Sequence, residues 1–517
     1  MKYSCLKGAF LLLVLSTIAL SQDVSSFEKR VTVKKLANGL RIVICERPEA
    51  PVFSFFTLVD AGSVQDPMRA TGLAHMFEHM AFKGTDTIGT TNYAAEKLAL
   101  EKVEVAYTAY IKERDKSVGQ DPAKLKQLEK TWQDARDAAD KYVVPNEFGK
   151  IVEQNGGEDM NAFTSYDETA YHYSFPENRL ELWAYLESER FLHPVLREFY
   201  KERNVVIEER RMRTDSNPFG RLLEQFTQEA FAAHPYHRPT IGWISDLNHF
   251  SATDAKKFFD TYYVPSNMVV AVAGDVKSAQ ALPILEKYFG RLPTHPEPDE
   301  ATTTEPPQNS ERRVVLKEVS QPIYIEGYHR PDYRSKDDAV FDAITDLLSE
   351  GRTSRLYRSL VRDKKIASFS EGFSGYPGVK YPHLFAFLAV PLPGHKPQEI
   401  ADAIHSEIER LKKEDISDDE LKMIKTRSKA NLIRGLADNE GLATQLATYQ
   451  TRYGDWRELF RSVDRIDAVT KADIRRVANE VFVDTNRTVG VIENAPGSGG
   501  SPGSEQGNAP ADQGGAQ

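Results

Sequence analysis

The stretch Gly72–Thr85, GLAHMFEHMAFKGT, sets His75 and His79 four residues apart with Glu78 between them. On an α-helix, positions four apart lie one above the other, so both imidazoles can face one ion. Imidazole nitrogen suits Zn²⁺. Glu78 is three residues after His75 and adjacent to His79. It shares the side of the helix but does not replace a histidine, and its natural role is general base for a zinc-bound water. Zinc lowers the pKa of such a water to about 7, within reach of a carboxylate. A catalytic zinc has three protein ligands and one open position. A third ligand must therefore come from elsewhere.

The candidate stretch is YKERNVVIEERRMRTD, residues 200–215. Glu202 and Glu209 stand seven apart, two turns along one face, with Val205 and Val206 as the apolar register between them. Glu208 is the neighbour of Glu209, and periodicity does not separate the two. A solvated charged helix is the competing reading of so many Glu and Arg. His172, His193, His234 and His237 stand in aromatic or proline-rich contexts without ligand spacing.

These residues need elements to carry them. Val31–Cys45 reads as two strands turned at Asn38-Gly39, a hairpin signal, and VFSFFTLVDAGS as a third strand. The histidine helix follows. Residues 292–312 are rich in Pro, Thr and Glu, lack periodicity, and read as a linker. The parts on either side resemble each other. Ser251–Asp275 aligns on Thr470–Asn494 without a gap at a constant offset of 219 residues, so that Asp254 meets Asp473 and Asn267 meets Asn486. The fold class expected is α+β, as two duplicated α/β-sandwich domains, antiparallel-rich sheets flanked by helices, over 22–291 and 313–493.

Ala94–Tyr142 interrupts the first copy. Leu100, Val103, Tyr107 and Tyr110, then Leu125, Leu128, Trp132, Ala135, Ala139 and Tyr142, recur at helical spacing. Asp121-Pro122 fits an N-cap followed by proline at the first helical position. The two faces are expected to pack on each other as a hairpin that the core could lose.

The net charge of -10 leaves no basic footprint for nucleic acid. Residues 1–21 read as a signal peptide: Lys2 and Lys7, an apolar run too short to span, then Ala19 and Ser21. No later segment is apolar enough to cross a bilayer. The mature chain, exported to a periplasm or secreted, keeps only Cys45, which sits in an apolar strand and reads as a core residue. The Gly/Ser/Pro/Gln tail, 494–517, is expected to be disordered.

GLAHMFEHMAFKGT, then NAFTSYDETAYHYSF, then ERNVVIEE resembles the insulinase/pitrilysin family of inverted-motif zinc peptidases, in its mitochondrial-processing-type bacterial branch. The resemblance runs from about Val31 to Ile492 and leaves out the hairpin. It implies His75, His79 and Glu209 as ligands of Zn²⁺, Glu78 as base and Glu202 as its supporting glutamate. It implies that Asn161, Ala162, Phe163 and Thr164 form an edge strand on which a peptide is laid as an added strand. The gap from His79 to Glu209 exceeds the family's usual spacing, and the hairpin accounts for the excess.

In the family's second half an arginine and a tyrosine seven residues later hold the substrate carbonyl. Here Arg362 is present but Phe369 stands at the tyrosine's place. The resemblance thus implies a zinc endopeptidase subunit acting on peptides or unfolded segments. It also implies a dimer, expected as a heterodimer with a paralogous subunit that supplies the Arg/Tyr pair. The alternative is a non-catalytic scaffold subunit of the same fold, whose relatives lose the ligand set that this chain keeps.

Overall fold

The Asn38-Gly39 turn shows how the first sheet begins. Gly39 takes φ +100°, and Asn38 Nδ2 donates to the carbonyls of Phe289 and Leu292 at 2.9 and 3.1 Å. The turn joins β1 (Val31–Lys35) to β2 (Arg41–Glu46) as an antiparallel pair. The computed structural model describes residues 27–494. The expected signal segment and the tail beyond 494 lie outside the described residues.

With β3 (Val52–Val59), β4 (Glu158–Thr164), β5 (Thr169–Pro176) and β6 (Met268–Gly274), the first half forms one sheet in the order β1-β2-β6-β3-β5-β4. The second half comprises β7 (Arg312–Glu318), β8 (Ile323–Arg330), β9 (Ala367–Tyr376), β10 (His383–Pro391) and β11 (Arg487–Asn494), ordered β7-β11-β8-β10-β9. Both sheets carry one parallel pair, β2 with β6 and β7 with β11, in otherwise antiparallel ladders. The orders coincide once β1 is set aside, which is the mixed α/β duplication expected from the sequence.

The helices that matter here are α1 (Leu73–Met80), α2 (Tyr93–Arg114), α3 (Pro122–Asp140), α4 (Phe199–Arg210), α5 (Pro218–Ala230), α6 (Ala252–Tyr262), α7 (Asn439–Tyr453) and α8 (Lys471–Val481). The repeat is exact to the residue in α6 and α8. Ser251 and Thr470 each close a capping box with an aspartate three residues on, Asp254 and Asp473. Asn267 Nδ2 donates to the carbonyls of Tyr262 and Asp60. Asn486 Nδ2 does the same for Val481 and His329. Each asparagine ties the end of its helix to the end of a central strand.

Each half covers the other's sheet. The outer face of the first sheet, with Val43, Cys45, Phe56, Leu58 and Ala271, packs on Leu442, Ala443, Leu446 and Ala447 of α7. The second sheet's outer face, with Ile323, Ile325 and Ile492, packs on Leu222, Phe226 and Ala230 of α5. Cys45 is fully buried there, and burial pushes its thiol up to about 11. The linker is tied down as well. Glu305 accepts the N–H groups of Ala232, Ala233 and His234 at 2.8–3.0 Å. Because α7 closes the first sheet, Leu446→Ala is expected to lower unfolding stability by about 2–5 kcal/mol. Urea unfolding checks this, and a loss under about 1 kcal/mol would show the interface to be slack.

The hairpin requires a correction. Its helices do pair, and Asp121 caps α3 by accepting from the N–H groups of Ala123 and Lys124. However, Val103, Ala106, Tyr107, Trp132 and Ala139 belong to the main core of the first half, beside Phe199 and Tyr200 of α4. The apolar faces are therefore shared with the body of the domain, and removing the hairpin would strip α4 of cover. No helix among the described residues is long and apolar enough to cross a membrane.

Candidate metal centre

Helix α1 starts at Gly72, whose φ of +94° and close approach to the Ile241 carbonyl (2.7 Å from where a Cβ would stand) exclude a side chain. Asp66 receives the helix start: its carboxylate accepts the N–H groups of Gly72 and Ala74 at 2.7 and 2.9 Å. Leu73, Ala74, Met76 and Phe77 seat the helix in the core. That seating leaves His75, Glu78 and His79 facing α4. Helix α4 buries Phe199, Tyr200, Arg203, Val206 and Arg210, and it turns Glu202 and Glu209 toward the histidines.

His75 Nε2 and His79 Nε2 lie 3.6 and 3.5 Å from the same oxygen, Glu209 Oε2. The three ligand atoms all fall within 4.8 Å of one another. The two rings stand nearly perpendicular, 5.0 Å apart. Separations of this length are too long for good hydrogen bonds. They match the edge of a tetrahedron with bonds of about 2.1 Å, which is about 3.4 Å. The donor set, two imidazoles and one carboxylate, is that of a catalytic zinc site with an open position, so the residues fit the ion.

Glu78 Oε2 is 3.9 Å from His75 Nε2, beside this trio and outside it. Glu202 Oε2 is 3.5 Å from His79 Nδ1, on the ring's far side from Glu209. A carboxylate there fixes the tautomer of a metal-binding histidine. Burial drives His75 down to about 4. For His79 burial pulls down as well, but Glu202 and Glu209 outweigh it and hold the ring up at about 9. Burial also raises Glu78. Burial opposes ionisation of Glu202, yet His79 and Lys83 bring it down to about 2.

A cleft of about 430 Å³ opens beside Glu78 and His79, with Phe82, Lys83, Val143, Val144, Asn146, Asn161 and Ala162 among its walls. The stretch NAFT is the edge strand β4, paired only with β5 in the register Asn161↔His172 to Thr164↔Thr169. Asn161 and Ala162 reach the cleft. Phe163 turns to the opposite face, against Phe56 at 6.1 Å. Arg362 lies far along the chain in a π-helical turn, exposed and paired with its neighbour Asp363 at 2.6 Å. Glu208, the alternative to Glu209, is exposed and paired with Arg211.

Three features escaped the sequence. Lys83 bridges Glu202 and Glu198, and a lysine in a loop gives no signal of that. Arg197 and Glu96 form a fully buried pair. Asp86, Glu189 and His193 also come together, where the i,i+4 spacing of Glu189 and His193 was a missed cue. Arg291 already holds Glu189 at 2.6 Å.

The family model described as Insulinase (Peptidase family M16) matches residues 41–117 and 138–242, and that of the Peptidase M16 inactive domain matches 249–428. The chain belongs to the insulinase family, M16. The M16 match runs through α2 and breaks only at 118–137, a narrower interruption than the whole hairpin. The zinc protease PqqE of Helicobacter pylori is 30% identical over 484 residues, covering 92% of this chain and 95% of that protein. The crystal structure of a protease from Helicobacter pylori has TM-score 0.74 at 30% identity, over 90% of this chain and 99% of that one. The periplasmic protease PqqL from Escherichia coli shares the M16 fold, with TM-score 0.66 at 19% identity, over 91% of this chain and 48% of its own.

Proposed function

We propose that this chain is the zinc-bearing subunit of an M16 endopeptidase that cleaves peptides or unfolded segments laid along β4. The observation that carries the reading is the convergence of His75, His79 and Glu209 on one point with Glu78 beside it. Zinc, when bound, polarises the scissile carbonyl and acidifies the attacking water. Glu78 takes the proton of that water and passes it to the leaving amine, a task suited to a half-buried carboxylate with a raised pKa. Glu202 orients His79 through Nδ1. The open edge of β4 offers backbone N–H and C=O groups to an extended peptide, and the pairing holds the peptide bond beside Glu78.

The signal-like N-terminus supports an exported, periplasmic or secreted enzyme. Phe369 in place of a tyrosine supports a heterodimer in which a paralogous chain supplies the carbonyl clamp. A scaffold role is disfavoured by the retained ligand set. The test is a quenched-fluorescence peptide assay on the natively purified protein with its co-purifying partners. Activity should disappear with a chelator and return with zinc. Zinc-loaded protein that cleaves no peptide, with or without partners, would favour the scaffold.

A further inference from the structure

We infer that the hairpin α2–α3 is a brace that sets the rotation of α4 about its own axis, and with it the positions of Glu202 and Glu209. The inference rests on the reading of His75, His79 and Glu209 as zinc ligands.

The contacts lie on the sides of α4 turned away from the ligand face: Tyr200 is about 160–180° round the helix from Glu202 and Glu209, and Arg203 about 100–120°. The Tyr200 ring sits 4.4 Å from Tyr107 and 5.2 Å, edge-on, from Trp132 of α3. Its hydroxyl donates to Glu104 of α2 at 2.5 Å. Arg203 Nη1 donates to the Tyr107 hydroxyl at 2.6 Å and to the Phe250 carbonyl at 3.1 Å. Its guanidinium lies over the Tyr107 and Tyr200 rings at 5.1 and 4.9 Å. Trp132 also stacks on Tyr110, at 5.4 Å and 14°. Just ahead of α4, Arg197 pairs with Glu96 of α2 at 2.8 and 3.1 Å and donates to the carbonyls of Lys83, Thr85 and Ile88. One buried guanidinium thereby joins the hairpin, the loop after α1 and the entry to α4.

Magnitudes show why rotation matters. A side-chain tip lies about 5 Å from its helix axis, so a turn of 20° moves it by about 2 Å. A metal–ligand distance tolerates about 0.2 Å. Glu202 and Glu209 are each one step of the helix away from residues the core or hairpin clamps, Arg203 and Arg210. On the ligand side, α4 is held by Lys83, a long and flexible side chain. The packed aromatic contacts of the hairpin are stiffer than that lysine, and they fix the angle together with Val206 and Arg210, which the core holds. Tyr107, Trp132 and Arg203 are therefore positioning residues, acting through the helix.

The experiment measures zinc affinity of the metal-free protein by competition with a chromophoric chelator. Trp132→Ala should weaken zinc by tenfold or more, within the 10–100-fold range of supporting-residue losses. Trp132→Phe, which keeps a ring, should stay within threefold of the parent. Phe341→Ala, in the core of the second half, should lower the melting temperature without moving zinc affinity by more than twofold. Equal affinity in Trp132→Ala and the parent, or an equal loss in Phe341→Ala, would overturn the brace. If Trp132→Ala does not fold, Tyr107→Phe removes only the hydroxyl that meets Arg203, and it should weaken zinc several-fold. No change there would also overturn it. A parent protein that binds no zinc would sink the ligand reading itself, before any variant is compared.

Discussion

Glu78→Gln is expected to keep one zinc per chain and to lower kcat by about 10²–10⁴-fold, the range of a positioned general base. The amide has nearly the carboxylate's shape and cannot take a proton. It stands beside the His75–His79–Glu209 trio, 3.9 Å from His75 Nε2, so losing its charge leaves the ligand atoms where they are. His75→Ala and Glu209→Gln should behave in the opposite way. Each removes one of the three proposed ligands, and zinc should fall well below one per chain along with activity. Metal analysis of the purified variants separates the two behaviours. An empty site in Glu78→Gln would make Glu78 a ligand and overturn the division of roles.

The histidine pair was legible because helical spacing alone forces His75 and His79 onto one side. Glu209 was not legible from spacing, since Glu208 fits a charged helix as well. What separates them is the packing of Val206 and Arg210 into the core, which turns Glu209 inward and leaves Glu208 in solvent with Arg211. The duplication was legible because its copies keep the same caps and the same asparagines, Asn267 and Asn486. The exchange of α5 and α7 between sheets was not, because an amphipathic helix specifies that a face is buried and not against what. The hairpin failed for the same reason. Its apolar stripe read as self-sufficient, yet Tyr107 and Trp132 spend it on Tyr200 of α4.

The remaining large effect concerns Phe369. The purified chain on its own is expected to turn over slowly, and Phe369→Tyr to accelerate it by up to about 10²–10³-fold, the cost of one missing donor to a developing oxyanion. The cleft beside Glu78 is walled by residues of the first half alone. Phe369 stands on β9, the edge strand of the second sheet, 42% exposed and opposite Val390. Arg362 is exposed and, among the described residues, paired with its neighbour Asp363, a surface pair worth little that a substrate carbonyl could displace. In the proposed dimer, with two chains closed face to face, the second half of one chain would face the proposed zinc site of the other. In a homodimer of this chain that clamp would present a guanidinium and a bare ring. A paralogous partner carrying both arginine and tyrosine would complete it. Mixing the chain with its co-purifying partner should therefore raise kcat about as much as Phe369→Tyr does, and the two gains should not multiply. Full activity of the unmodified chain alone, with no gain from the tyrosine, would remove the need for a partner and leave the carbonyl to Arg362 and solvent.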